Sequence, residues 1–275
     1  MTRFPIRTLA NCLAVISSVF LMATPAHADL DKIKASGKLT VAVYDDFAPF
    51  SGKSGGIDID LAEALAKKLN LKLSLLPFPA GENVNDDLRN MVWKGHYLGF
   101  GPADVMLHVP VDRSLMMQND KVEIFAPYFR ETIQIVRNLK AIPDLQGTQS
   151  LLGKRLGAEK VSISAMVLLG DTDLRDKVQI FPTPIDALNK LKAGELDAVV
   201  ASRAEIESVM HGDASFEITD APFDRLPRKG WVNGLAVKKD ELELAKVLQA
   251  AVNELFDNGE MAALFAKHGV KSVKP

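Results

Sequence analysis

Two successive series of short apolar runs alternating with amphipathic stretches constrain this chain more than any other feature. In the first, KLTVAVY (Lys38–Tyr44) reads as a buried strand and IDIDLAEALAKKLN (Ile57–Asn70) as a helix with Leu61, Leu65 and Leu69 on one stripe. LKLSLL (Leu71–Leu76) reads as a second strand, NDDLRNMVWKG (Asn85–Gly95) as a second helix and ADVMLHV (Ala103–Val109) as a third strand, which together make a parallel βαβαβ unit. A second series places strands at Lys154–Ala158, Lys177–Phe181 and Leu196–Ala201, with helices around Ser162–Leu169 and Pro184–Ala193. WVNGLAVKK (Trp231–Lys239) then reads as a strand returning to the first lobe, followed by helices at Glu241–Phe256 and Met261–His268. The expectation is an α/β protein of two lobes, joined by two hinge crossings near residues 125–132 and 228–235, with a ligand cleft between the lobes.

The N-terminus points to a compartment. Arg3 and Arg7 make a short basic start, Leu9–Met22 an apolar run, and Ala26-His27-Ala28 a small-x-small cleavage site. Residues 1–28 therefore read as a signal peptide cleaved after Ala28, with export to the periplasm. Asn11, Ser17 and Ser18 interrupt a run already short of the ~20 residues that span a bilayer, so no membrane insertion is expected after cleavage. Cys12 is the only cysteine, and Asn11 precedes it where a lipoprotein signal wants a small residue. The mature chain then has no thiol, which excludes disulfides and thiolate metal sites. The full chain carries a net charge of −2 and no polybasic run, so nucleic acid is not an expected partner.

Motifs for catalysis are missing. There is no G-x-S-x-G elbow and no H-E-x-x-H, and His96, His108, His211 and His268 are scattered without metal-ligand spacing. GKS at Gly52–Ser54 has Phe47 where a phosphate loop needs glycine. GFG at Gly99–Gly101 precedes a strand, and Asp104 replaces the third glycine of a dinucleotide fingerprint. Asp58 and Asp60 sit near a helix start and read as caps. The reading is of a protein that is not an enzyme, with no catalytic residue, no metal and no cofactor.

GGIDIDLAEALAKKL, the strand-loop-arginine stretch ending in FAPYF, LLGKRLGA, GELDAVVAS and NGLAVKKDELELAKVLQAAVNELFDNGEMAALFAKHG follow one another in an order that resembles family 3 of the bacterial extracellular solute-binding proteins. The resemblance covers nearly the whole mature chain. It implies the two-lobed periplasmic-binding-protein fold (type II), with 29–128 and 231–275 forming lobe 1 and 129–230 forming lobe 2. It also implies capture of a small-molecule ligand by hinge closure for an ABC permease; a monomer is the default. Arg113 falls where the family places the arginine that grips a ligand carboxylate, a task suited to a planar fork of donors; the alternative is a solvated arginine on a loop. Tyr44, Phe47 and Phe50 lie where the family supplies an aromatic wall, Phe47 or Phe50 ahead of Tyr44, unless the three rings plug the core. Ser162, Ser164 and Ser202 would close over the ligand from lobe 2. His108 is either a ligand hydrogen-bonder or a structural histidine at a strand end, and Trp231 is either a reporter of closure or a core residue.

The departures from the family pattern bear on the ligand. Pro110 stands where α-amino-acid binders usually carry threonine, Ser202 where they carry the acidic partner of the α-ammonium, and EKVSISA (Glu159–Ala165) replaces a Ser/Gly/Thr-rich turn. The ligand implied is a small anionic, carboxylate-bearing solute other than a standard α-amino acid. A second resemblance runs from Gly95 to Asp112, GHYLGFGPADVMLHVPVD, to solute-binding-like accessories of quinoprotein (PQQ-dependent) alcohol or methanol dehydrogenases. The loop after the first strand lacks the cysteine-containing pattern of the methanol-dehydrogenase accessory. On that alternative the scaffold would present a surface to a periplasmic quinoprotein dehydrogenase.

Overall fold

The computed structural model describes residues 28–226 and 230–275. The expected leader, but for its last residue, and residues 227–229 at the start of the second expected crossing lie outside the described residues. Helix α1 (Ala28–Ser36) leads into β1 (Lys38–Tyr44), α2 (Ile57–Lys68), β2 (Lys72–Phe78), α3 (Val84–Leu88), a π-helical turn over Arg89–Trp93, and β3 (Val105–Pro110). β1 pairs in parallel with both β2 and β3, giving the order β2-β1-β3. The short α4 (Arg113–Gln118) and the 17-residue β4 (Val122–Asn138) follow.

The second series repeats the first. β5 (Leu156–Glu159), α5 (Ile163–Gly170), β6 (Val178–Phe181), α6 (Pro184–Lys192) and β7 (Ala198–Ser202) set β5 parallel to both β6 and β7. α7 (Arg203–Met210) and the edge strand β8 (Phe216–Asp220) complete this lobe, and β9 (Gly230–Lys238), α8 (Leu242–Asp257) and α9 (Glu260–Lys267) return to the first. Each lobe buries apolar side chains on both faces of its sheet, which is why its parallel strands read as continuous apolar runs.

β4 belongs to both lobes. Its first half pairs antiparallel with β9, and its second half, from Ile133 onward, with β7 and β8. Between the halves, Phe129–Thr132 pair with Asn233–Gly230, so the two crossings form one antiparallel ribbon. A bulge precedes the ribbon: Phe125 faces Leu235 and Phe129 faces Asn233, four steps on one strand against two on the other, with Ala126 at φ 46°. Glycine is required on the partner strand, because a Cβ at Gly230 would lie 2.3 Å from the Glu131 carbonyl oxygen and one at Gly234 2.4 Å from that of Phe125.

α2 corrects one reading. It has no side-chain cap. Asp58 is instead buried and accepts from the Tyr128 hydroxyl at 2.7 Å, with its other oxygen 3.0 Å from His108 Nδ1. Asp60 binds Lys267 and His268, joining α2 to α9.

Candidate functional site

The carboxyl ends of β1 and β3 in one lobe and of β5 and β7 in the other converge on a cavity of about 370 Å³. In each lobe the central strand is followed by connections to opposite sides, and such a switch point leaves a crevice at the strand ends. The crossing ribbon supplies the floor through Glu131, Trp231 and Asn233.

Seven of the eight sequence-predicted residues line this cavity: Tyr44, Phe47, Phe50, His108, Ser162, Ser164 and Ser202. Phe47 is half-buried, stacks on Phe50 at 5.4 Å and meets the His108 ring edge-on at 4.7 Å. Phe50 is buried in the lobe 1 core and shows the cleft only part of its ring, so wall and core plug are both served. The Tyr44 hydroxyl donates to Asp87 at 3.0 Å, and burial with that carboxylate nearby raises its pKa.

His108 is the structural histidine of the two readings. It is buried at φ 61°, a conformation histidine tolerates better than branched residues, and Nδ1 and Nε2 are engaged by Asp58 (3.0 Å) and Asn233 Nδ2 (2.9 Å). Ser162 caps α5: its hydroxyl accepts from the Ala165 N–H at 3.0 Å and donates to the Glu159 carbonyl at 2.7 Å. Ser202 precedes α7, its N–H donating to Glu205 Oε2 at 3.0 Å.

Arg113 is the exception. It is the exposed first residue of α4, a helix capped by Asp112, whose carboxylate accepts the Leu115 N–H at 3.0 Å. β3 ends at Pro110 and the chain coils into this helix within three residues, which leaves Arg113 outside the residues that line the cavity.

The charge of the cleft was not foreseen. Asp45, Asp46, Glu131, Glu159 and Glu205 line it, and among the described residues no lysine or arginine does. Burial pushes the Glu131 carboxyl up to about 8 and that of Glu205 up to about 7, and raises that of Glu159. Glu131 Oε1 accepts the N–H groups of Thr132 (2.9 Å) and Ala204 (3.4 Å), while Oε2 is buried without a partner. Arg203, which partly offsets the rise at Glu131, is held elsewhere. It donates to Glu207 at 2.9 Å and to the carbonyls of Lys271 (3.0 Å) and Arg130 (3.2 Å). Among the described residues no group of three or more His, Cys, Asp or Glu is placed to hold a metal ion.

Glu131, Glu159, Glu205 and Asn233 were missed by sequence reasoning. One signal was available: Ser202-x-x-Glu205 has the spacing of a capping box at the strand end where an acidic residue was sought.

No protein-family model matches the chain. The L-cystine-binding protein of Escherichia coli is 23% identical over 255 residues, covering 90% of this chain and 89% of that protein. A cyclohexadienyl dehydratase of Pseudomonas aeruginosa is 41% identical over 71 residues, 24% of this chain and 26% of the enzyme. Among solved structures, an ancestral cationic amino acid solute-binding protein superposes with a TM-score of 0.69 at 21% identity, over 88% of this chain and all of that one. The resemblance to family 3 solute-binding proteins and the two-lobed fold it implied are borne out.

Proposed function

We propose that the protein is an exported, periplasmic solute-binding protein that delivers a small organic cation, an ammonium or guanidinium solute, to an ABC permease. The observation that carries this reading is the acidity of the cleft: five carboxyl side chains, one with a buried oxygen lacking a partner among the described residues, and no lysine or arginine among the described lining residues. An anionic solute placed there would add like charge to a poorly hydrated site, so the expectation of a carboxylate ligand held by Arg113 is withdrawn. A cation is attracted by the same groups, and the rings of Tyr44, Phe47 and Trp231 receive its apolar part and favour it electrostatically.

A binding role is supported by the likeness to a binding protein, which runs nearly the length of both chains, whereas that to the dehydratase covers 71 residues. Lobe 1 offers the aromatic wall, and lobe 2 closes over the solute with Ser162, Ser164 and Ser202 about the crossing ribbon. Service to a quinoprotein dehydrogenase would need an exposed surface and no charged cavity, so it ranks second.

A thermal-shift panel tests the reading. L-Arginine, L-lysine, L-histidine and putrescine are set against L-glutamate and succinate. A cation at 100 times its Kd adds ~2.7 kcal/mol, or roughly 5–10 °C for a chain of this size. A shift with succinate or L-glutamate and none with any cation would refute the reading. Silence across the panel together with a stable complex with a quinoprotein dehydrogenase would put the accessory role first.

A further inference from the structure

Two oxygens on the floor of the cleft accept nothing. Among the described residues Glu131 Oε2 and Asn233 Oδ1 are buried without a hydrogen-bond partner, on residues that are 2% and 0% exposed and that both line the cavity. A buried carboxyl oxygen and a buried amide oxygen left without partners cost free energy, and once a cation ionises Glu131 the two become acceptors for its N–H groups on one cavity wall. They come from facing strands. Glu131 pairs with Trp231 and Phe129 with Asn233, so residues 131, 231 and 233 share one face of the crossing ribbon.

Neither oxygen is free to turn away. Glu131 Oε1 is taken by Thr132 and Ala204, and Oε2 is the atom left over. The Asn233 amide is oriented through His108. With Asp58 accepting from His108 Nδ1, a neutral imidazole presents Nε2 as the acceptor for Asn233 Nδ2, and Oδ1 is then the amide atom with no partner among the described residues. Tyr128 fixes the other Asp58 oxygen at 2.7 Å, and Phe50 packs against the imidazole at 4.2 Å. A buried carboxylate, a tautomer and an amide thus determine which amide atom is left without a partner at the cavity wall.

We propose that Glu131 Oε2 and Asn233 Oδ1 form a subsite that accepts N–H bonds from the cationic group of the solute, with His108 as its positioning residue. The inference rests on the cationic reading above and names the atoms that enforce it. A quaternary ammonium of equal charge has no N–H to give. It would leave both oxygens unpaired, and the site therefore discriminates against it.

Titration calorimetry with putrescine, L-arginine and the hexamethylated bis-quaternary analogue of putrescine tests this. The parent is expected to prefer the N–H cations to the quaternary one by at least tenfold. Glu131→Gln is expected to weaken the N–H cations by roughly 10- to 100-fold and Asn233→Leu by about tenfold, the scale of a charge-assisted and a neutral hydrogen bond, and both to erase the preference. His108→Leu should erase it too. His108→Gln, which keeps an acceptor towards Asn233 and a donor towards Asp58, should restore it; a role in folding alone would weaken every ligand alike and leave the ratio intact. Should Asn233→Leu fail to fold, the isosteric Glu131→Gln decides. If the parent binds the N–H cations and both variants hold them within twofold with the ratio unchanged, the subsite is overturned while the cationic reading stands. If the parent binds none of the cations, both are overturned.

Discussion

Glu131 and Glu205 give the cleft a pH signature. Burial lifts their carboxyls to about 8 and about 7 from an ordinary 4.5, with Arg203 opposing the rise at Glu131. Between about pH 4.5 and 8 the folded protein holds protons that the unfolded chain has lost, so the empty protein loses stability as pH rises through that window. Cation capture has the opposite sign. A bound cation favours the ionised carboxylates, so capture releases protons and affinity rises with pH up to about 8. Thermal melts of the empty protein and L-arginine titrations across this range should show the two trends, and Glu131→Gln should flatten both; a cation affinity that falls with rising pH would contradict the assignment. Two further substitutions separate wall from surface. Tyr128→Phe removes a donor to the buried Asp58 and should cost about 1–3 kcal/mol in urea unfolding. Arg113→Ala, at an exposed helix start, should leave ligand affinity within about twofold and stability within about 0.5 kcal/mol.

Among the elements, those whose pattern is set locally were legible in the sequence. KLTVAVY is β1 residue for residue, and the helices expected from Ile57, Pro184 and Glu241 appear within one or two residues of their bounds. β4 was not read as a strand. Pro127 sits inside it, and the bulge shifts the buried face from even positions (Val122, Ile124, Ala126, Tyr128) to odd ones (Phe129, Glu131, Ile133, Ile135), which breaks the period of two. The same shift hid Glu131, whose place in the cleft depends on which face of the ribbon turns inward. α7 was missed because it begins at Arg203, directly after β7, with no loop to announce it. The aromatic wall was legible because its residues cluster after one strand. The polar lining was not, because it assembles Glu131, Glu205 and Asn233 from three elements. The ribbon itself tolerates little: Gly230→Ala or Gly234→Ala brings a Cβ against backbone oxygen and should cost about 1–3 kcal/mol by chemical denaturation. Unchanged midpoints would mean that the two strands can separate there without loss.

For the molecule as a whole, two copies of one strand order face each other across a ribbon of two strands, and among the described residues the only acidic side chain on the cavity side of that ribbon is Glu131. On the proposed function, a hinge strand that carries part of the ligand's binding site would couple occupancy to closure, since the ligand would gain lobe 2 contacts at Ser162, Ser164 and Ser202 as the lobes approach. Small-angle scattering with saturating L-arginine or putrescine should show a smaller radius of gyration than the empty protein; no compaction would argue against closure as the mode of capture. The sign of the ligand's charge is the central claim, and calorimetric titration of the purified protein with L-arginine, putrescine and succinate at about pH 6 and pH 8 tests it most directly. The account predicts binding of at least one cation, tighter at the higher pH and accompanied by proton release, with no heat from succinate. Binding of succinate, or of any ligand that tightens as the pH falls, would contradict it.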